Sequence, residues 1–297
     1  MEKFKKSKFR ILKTFLISKF VFINGIISIV VLGLILAFLI YNSLKFFSSY
    51  PFFDFISGTR WSPTVNEKFG FVPLMVGSLE IAFGAILIAV PFGIGVAIYI
   101  GELAPRLVRE TLKPIIEVLA TIPSVVLGFI GLKTVVPFVK NIFSLSIGLT
   151  ALSGSIILAF MSLPTIISIS EDAISAVPNG LRNASLALGA NKWETTYKTV
   201  VPTASSGILA AIMLGLGRII GETMAVLMIT GNSPRIVFSW LQPVRTITAT
   251  IAAEMGETVQ GGLHYSALFG IGLVLFLITF LTNFTADRFV NRIRNII

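Results

Sequence analysis

Six apolar runs, each long enough to cross a lipid bilayer as a helix, alternate along this chain with the segments that carry most of its charges. Because a helix satisfies all of its own backbone hydrogen bonds inside lipid, the pattern predicts an all-α membrane protein with six transmembrane helices. The predicted helices are Phe20–Leu44, Met75–Ile100, Ile115–Leu132, Leu149–Ile169, Gly207–Ile229 and Ala267–Phe284.

Lysine and arginine residues concentrate on one side of this predicted topology. The segments on the side of the N-terminus carry 16 of the 24, the opposite segments carry 7, and Arg218 lies inside a run. Cytoplasmic loops are enriched in these residues, so both termini are expected to be cytoplasmic. Seven of the cations precede the first run, at Lys3, Lys5, Lys6, Lys8, Arg10, Lys13 and Lys19.

The runs and the charges together divide the chain into predicted segments. The five-helix core includes an inner loop, 171–202, between the fourth and fifth helices. The segments are a basic cytoplasmic N-terminal segment (1–19), a first transmembrane helix (20–44), an extracytoplasmic loop (45–73), a five-helix core (74–287) and a basic cytoplasmic tail (288–297).

The composition excludes several classes of protein. Of the 297 residues 55% are hydrophobic and only 13% are charged, which is incompatible with a soluble domain of this size. The chain has no cysteine and one histidine, so we expect neither a disulfide nor a zinc or haem site. The first apolar run is too long for a cleaved signal peptide, and we expect it to remain as an anchor.

The fifth run carries a charged pair, Arg218 and Glu222, at its centre. On a continuous helix these residues lie one turn apart on the same face. In one interpretation they form a static ion pair between helices. In the other, Arg218 faces a water-filled path and attracts a passing anion, which is the usual role of a charge at this depth. Gly215, Gly217 and Gly221 leave room for a neighbouring helix or a ligand.

The loop between the fourth and fifth runs is too long for a simple turn. Val177–Gly189 predicts a short helix that ends at Gly189 in the left-handed conformation. Asn191 and Glu194 then have the spacing of a capping box for a second helix, which exposes Trp193 and Tyr197. Two interpretations remain open: a protrusion that fills a groove of a partner, or an amphipathic segment on the lipid surface.

Three features at the predicted outer side are interpreted as peripheral. The aromatic residues of the first outer loop are expected to be interfacial anchors. Residues 247–257 predict a short, partly apolar helix at or dipping into the outer surface. Glu254, Glu257 and His264 have no evident partner and are expected on solvated surface, and Glu80 is expected to reach the interface or water.

The inner loop resembles the cytoplasmic signature of ABC-importer permeases, which is Glu-Ala-Ala, three residues, Gly, nine residues, then Ile, one residue and Leu-Pro. Here Asn183, Ala184 and Ser185 are followed at the same spacing by Gly189 and 199–202. The chain departs from the signature at four positions, with Asn for the acid, Ser for an alanine, and Thr199 and Val201 for the Ile and Leu. The corner is therefore better supported than any charge contact of the first residue.

Further motifs are similar to the phosphate-specific, PstC-type branch of that family. The similarity runs from about Trp61 to the last apolar run. The motifs are Gly217–Val226 followed by Gly231-Asn232, Ile122–Val126, Gly101–Pro105 and Trp61-Ser-Pro63.

This resemblance implies a permease subunit for inorganic phosphate in a bacterial inner membrane. It implies a heterodimer with a second permease, two cytoplasmic ATPase subunits and an extracytoplasmic phosphate-binding protein. In that family the Arg and Glu of the fifth span, here Arg218 and Glu222, act in translocation. The residues expected to contact the ATPases are Asn183, Ala184, Ser185, Gly189, Trp193 and Tyr197.

The chain itself lacks the Gly-x-x-x-x-Gly-Lys-Ser/Thr loop, so we expect no enzyme activity and no cofactor here, with ATP and magnesium bound by the ATPase subunits. The alternatives are a permease for sulfate, molybdate or another oxyanion, and a secondary transporter or channel that works without ATP.

Overall fold

The computed structural model describes the backbone of residues 2–294 and the side chains of 14, 15, 17–285 and 288. Most side chains of the predicted basic segments, 1–19 and 288–297, therefore lie outside the described residues. Fourteen α-helices form nearly all of the regular structure in the described part. They are α1 (Glu2–Ser49), α2 (Phe52–Ser57), α3 (Val72–Ile98), α4 (Arg106–Ala120), α5 (Ser124–Lys133), α6 (Val135–Ile142), α7 (Ala151–Ser175), α8 (Asn179–Ala187), α9 (Lys192–Thr195), α10 (Val201–Thr203), α11 (Ser205–Gly221), α12 (Met224–Ile229), α13 (Ile247–Glu254) and α14 (Leu263–Arg294).

Four shorter elements complete the described fold. Strands β1 (Trp61–Ser62) and β2 (Lys68–Phe69) pair antiparallel. One π-helical turn, Tyr99–Leu103, continues α3, and a second, Thr196–Val200, joins α9 to α10.

Five segments of the described chain are long and apolar enough to cross a membrane, or up to six if a bent helix pair is one span. The predicted all-α membrane fold is confirmed, with five to six candidate spans against the predicted six. The five are 17–49, 72–103, 124–142, 151–175 and 263–285, and the bent pair is 192–203 with 205–221, at 68°.

The centre of the bundle is formed by α3, α7 and α11, which pack closely through small residues. A methyl group at Gly215 would lie 2.7 Å from Ile166 Cγ1, and one at Gly207 would lie 2.4 Å from Ala173 Cβ. Glycine at these two positions thus lets α11 approach α7 to a distance that any side chain would prevent. The predicted small surface at Gly215 is a helix contact.

The third predicted span is displaced towards the C-terminus. The sequence pattern places it at Ile115–Leu132, whereas the spanning segment is 124–142. Helix α4 ends at Ala120 because the residue before a proline, here Ile122 before Pro123, is disfavoured in the α conformation. The charged helix α4 is thereby separated from the apolar α5 and α6.

The expectation that the aromatic residues of the first outer loop are interfacial anchors is wrong for most of them. Phe46, Phe55, Trp61, Phe69 and Phe71 are all buried and form a core of their own against α14. Their rings meet mainly edge to face at 5.3–5.7 Å between centroids, a favourable geometry for aromatic pairs. The loop is a packed cap on the bundle.

Candidate functional site: the broken fifth span and its two ends

The fifth predicted span is interrupted at its charged motif. Helix α11 ends at Gly221, Glu222 is extended (φ −69°, ψ 134°), and α12 begins at Met224. The hydroxyl of Thr248 on α13 donates to the Glu222 carbonyl at 2.7 Å. A break inside a membrane segment is tolerated where neighbouring side chains satisfy the freed backbone groups. The prediction of one continuous helix, Gly207–Ile229, is therefore wrong.

The break separates Arg218 from Glu222. Arg218 Nη1 donates to Thr165 Oγ1 on α7 at 3.2 Å, and Glu222 Oε1 accepts from the backbone N–H of Ala225 at 3.2 Å. Among the described residues no ion pair within 4.0 Å joins Arg218 to a carboxylate. The same-face pairing expected of a continuous helix does not occur.

Each of the two charges instead lies at a helix end of the opposite polarity. Arg218 is in the last turn of α11, and Glu222 precedes α12 and accepts from its first turn. The carbonyl end of a helix favours a cation and the N–H end favours an anion. This arrangement stabilises both charges without neutralising the guanidinium, so its charge remains available to a third group.

Space exists beside this motif. A methyl group at Gly217 or Gly221 would meet nothing within 4 Å in the described chain. A cavity of about 10 Å³, room for about one water molecule, lies between Glu222 and the hydroxyl-bearing Thr246 and Thr248, and most of its other lining residues are apolar. The break is thus bordered by a small, partly polar cavity and by open glycine surface.

The end of the bundle at α13, called here the α13 end, is organised around Glu254. Its carboxylate accepts from Arg245 Nη1 at 2.5 Å, from Trp61 Nε1 at 3.0 and 3.1 Å, and lies 2.8 Å from His264 Nε2. Its side chain is only 14% exposed. The expectation of solvated surface is wrong for Glu254 and His264 because partners from three segments converge there. Glu257 is exposed, as predicted.

Glu80 also differs from its prediction. Its Oε2 atom is buried and has no hydrogen-bond partner among the described residues. The side chain borders a largely apolar groove that Phe83, Phe238 and Trp240 help to line. Burial of this oxygen follows from the loop before α13, which folds back over α3.

The opposite end of the bundle, called the α8 end, carries the predicted protrusion. Gly189 has φ +89°, the left-handed conformation expected at the corner. Asn191 and Glu194 form the predicted capping box, with hydrogen bonds of 2.8 and 3.0 Å. Trp193 and Tyr197 are exposed. The predicted left-handed corner at Gly189 and the predicted exposure of Trp193 and Tyr197 are therefore confirmed.

The protrusion is internally braced. The hydroxyl of Thr195 donates to Ser185 Oγ at 3.0 Å, which ties α9 to α8. Asn183 and Ala184 lie on α8 with Ser185, so five of the six predicted coupling residues are on α8, α9 or the corner between the two helices. The sixth, Tyr197, follows on the π-helical turn.

Sequence reasoning missed the partners of the charged motif. Thr165 and Thr248 lie 53 and 26 residues from the residues they contact, and both occur in apolar runs where threonine is common. It also missed the partners of Glu102 and Arg182, which are 80 residues apart. The one available signal was the presence of Glu102 in the Gly101–Pro105 motif.

Comparisons with known proteins give the family. The family model described as "Binding-protein-dependent transport system inner membrane component" matches residues 89–295. The chain belongs to this family. It is accordingly a multi-pass protein of the bacterial inner membrane with a transport role.

Individual relatives resemble the chain over most of its length. The "Phosphate transport system permease protein PstC" of Mesorhizobium japonicum is 40% identical over 86% of this chain and 84% of that protein. The "Probable ABC transporter permease protein YqgH" of Bacillus subtilis is 41% identical over 77% of this chain and 74% of that protein. A bacterial alginate ABC transporter crystallised with its periplasmic protein shares the fold, with a TM-score of 0.60 at 17% identity over 90% of this chain and 94% of that one.

Proposed function

We propose that the chain is a permease subunit of an ATP-driven importer that moves inorganic phosphate across the inner membrane. The observation that carries the proposal is Arg218, a permanent cation beside a break in a membrane helix, bonded to a hydroxyl rather than to a carboxylate. Several relatives are phosphate transport system permease proteins by name, which supports phosphate as the cargo.

The charge of Arg218 is costly to place inside a membrane. An arginine near the middle of a membrane costs at least about 2.5–3.5 kcal/mol. An ion pair with Glu222 would offset part of this cost, but the helix break holds the two side chains apart. A passing oxyanion takes the place of the missing partner. Helix ends at a break are the groups that bind anions and coupling ions in other transporters.

Glu222 has the complementary role in this mechanism. Glu222 lies four positions after the arginine and borders the small cavity beside the break. Repulsion between this carboxylate and the anion shortens the time for which phosphate remains at Arg218. A conducting site must be weak enough to release its ion.

The partners follow from the family and from the resemblance. A second permease completes a heterodimer, two ATPase subunits bind ATP and magnesium, and a binding protein delivers phosphate from outside. In this arrangement both termini and the α8 end face the cytoplasm. The surface of α8, Gly189 and α9, including Trp193 and Tyr197, inserts into the ATPases, whose closure moves it as one body.

Substitution of Arg218 tests the proposal. In proteoliposomes that contain the complete complex, we expect Arg218→Gln to abolish phosphate uptake while assembly and ATP hydrolysis remain, because glutamine keeps a donor for Thr165 and loses the charge. Arg235→Gln is the matched control, since Arg235 is an exposed arginine in the loop before α13. Normal uptake by Arg218→Gln would make this arginine a structural residue.

The cargo and the energy source are tested with the unmodified complex. Sulfate and molybdate in large excess are expected to leave phosphate uptake unchanged. Removal of ATP from the ATPase side is expected to stop it. Uptake that follows an ion gradient without nucleotide would instead indicate a secondary transporter.

A further inference from the structure

An ion pair connects helix α8 to the turn that ends α3. Arg182 Nη2 donates to Glu102 Oε1 at 2.6 Å, and its Nε donates to the same oxygen at 3.0 Å. The two side chains are only 16% and 12% exposed. A charge-assisted bond of this kind is short, directional and little screened by salt. We call this pair the Glu102–Arg182 joint.

The arginine of the joint also holds the end of α7. Arg182 donates to the carbonyl of Ile174 at 2.8 Å and to the carbonyl of Val177. These carbonyls lie at the end of α7 and just beyond it, and that of Ile174 also accepts from the backbone N–H of Val177 at 3.2 Å. One guanidinium therefore bonds to α3 through Glu102 and to α7 through its backbone.

The glutamate of the joint is held in place by its own surroundings. Glu102 lies in the π-helical turn Tyr99–Leu103, and π-helical turns are frequent at functional sites. Arg109 on α4 donates to the carbonyl of Ile100 at 2.7 Å and to that of Gly101. A methyl group at Gly101 would lie 2.9 Å from Ile174, so the turn packs directly on α7.

Helix α3 runs from this turn through the bundle to the α13 end. There Ser78 Oγ accepts from the backbone N–H of Ile247, the first residue of α13, at 3.0 Å. The carbonyl of Arg245 lies 2.5 Å from where a methyl group at Gly77 would be. A displacement of the π-helical turn along α3 is thus passed to the segment that carries Thr248, which bonds to the helix break.

We propose that the Glu102–Arg182 joint transmits movement of the α8 end to α3 and so couples ATP hydrolysis to opening of the path. The inference rests on the proposed function and assigns positioning roles to two residues that are not among the six predicted coupling residues. Arg109 holds the turn through two carbonyls, and Arg182 bonds to two carbonyls at the end of α7. Among the hydrogen bonds of the described residues, the joint is what links a side chain of α8 to the turn that ends α3.

The test uses the complete complex in proteoliposomes, with phosphate-loaded binding protein outside and ATP on the ATPase side. Glu102→Gln keeps the shape of the side chain and removes its charge. We expect this variant to assemble and to hydrolyse ATP, while the phosphate moved per ATP falls roughly fivefold or more. Arg182→Lys, which keeps the charge but loses the fork of donors, is expected to lie between this variant and the unmodified complex.

The charge exchange Glu102→Arg with Arg182→Glu distinguishes coupling from folding. We expect the exchanged complex to recover a large part of the phosphate moved per ATP. Each single charge reversal is expected to move less phosphate per ATP than the exchanged complex. The matched control is Arg106→Gln, because Arg106 and Glu110 form a 2.7 Å ion pair on α4 that is 91% and 58% exposed. This control should leave the ratio unchanged.

Each remaining outcome overturns the inference. An unchanged ratio in Glu102→Gln means that the joint transmits nothing. Failure of every variant to assemble with the ATPases, including Arg182→Lys, would reduce the pair to a folding role. An unmodified complex that moves no phosphate would refute the proposed function itself, which separates the two failures.

Discussion

The two ends of the bundle stabilise buried charge in different ways. At the α13 end, the single carboxylate of Glu254 contacts Arg245, His264 and Trp61, which come from three separate segments. At the α8 end, the two most buried carboxylates that form ion pairs among the described residues, Glu102 and Glu171, belong to separate groups. These groups are the Glu102–Arg182 joint and the ion pairs of Lys113 on α4 with Glu171 and Asp172 on α7, at 2.6 and 2.7 Å.

This difference has a mechanical consequence. A network that converges on one carboxylate is lost as a unit when that carboxylate is removed, because every donor loses its partner. Separate pairs can change one at a time. The α13 end is therefore held by one shared carboxylate beside the helix break, whereas the contacts that tie α8 and α4 to the long helices are separate pairs. Three substitutions test this contrast.

The largest effect is expected at Glu254. Glu254→Gln leaves Arg245 without its counter-charge in a mostly buried place, and we expect a loss of about 3 kcal/mol in the free energy of unfolding. Reversible denaturant unfolding of the purified protein in detergent measures this free energy. Glu257→Gln, a nearby exposed acid, is the control and should change stability little. Equal effects of the two substitutions would contradict the central role of Glu254.

An intermediate effect is expected at the corner of the α8 end. Gly189→Val forces a β-branched residue to φ +89°, which costs roughly 2 kcal/mol. The strain is local, so we expect the ATPases to bind weakly while the α13 end keeps its stability. Co-purification of the ATPase subunits measures how much ATPase is bound. The control is Gly180→Val, since Gly180 lies on α8 without positive φ or a close neighbour in the described chain. ATPase binding that equals that of the unmodified chain would remove the argument for the corner.

The smallest effect is expected at Lys113. Lys113→Met leaves Glu171, only 5% exposed, without its cation, but the lysine is 36% exposed and water can replace part of the contact. We expect a loss of about 1 kcal/mol, between the values for exposed and buried pairs. A loss as large as that of Glu254→Gln would remove the contrast between the two ends.

The pH dependence of the Lys113 pair gives a second measurement. Hydrogen bonds from Lys113 to Asp172 and then to Glu171 raise the pKa of the lysine above its ordinary value of 10.5. A raised folded-state pKa means that the stabilisation is complete below 10.5 and is lost as pH rises through the higher folded value. The difference between Lys113→Met and the unmodified chain should therefore shrink only in strong alkali. A difference that already shrinks in the neutral range because the lysine deprotonates would contradict this assignment.

Features that depend on a few neighbouring residues were predictable. The apolar runs were found because each must match the thickness of a membrane on its own. The left-handed Gly189 and the capping box of Asn191 and Glu194 were also found, since both are completed within a few positions along the chain. Helix ends set by distant partners were not found, and the third span was misplaced by about ten residues.

The charged motif shows the limit most clearly. The four-residue spacing of Arg218 and Glu222 indicates one helical face only while the helix continues. Whether it continues depends on the carbonyl of Glu222, which receives a hydroxyl from α13, 26 residues away. Glu254 and His264 were misjudged for the same reason, because their shared site includes Trp61, 193 residues from Glu254.

The sequence by itself determined that this is a helical membrane protein, where its spans approximately lie, and which arginine is exceptional, because hydrophobic length and local capping are properties of short stretches. Only the tertiary structure decided which groups satisfy that arginine, where its helix breaks, and which charges connect the ends of the bundle to its long helices. Those outcomes depend on polar groups that become neighbours only when the helices pack, and a buried polar group takes whatever partner the packing brings within reach.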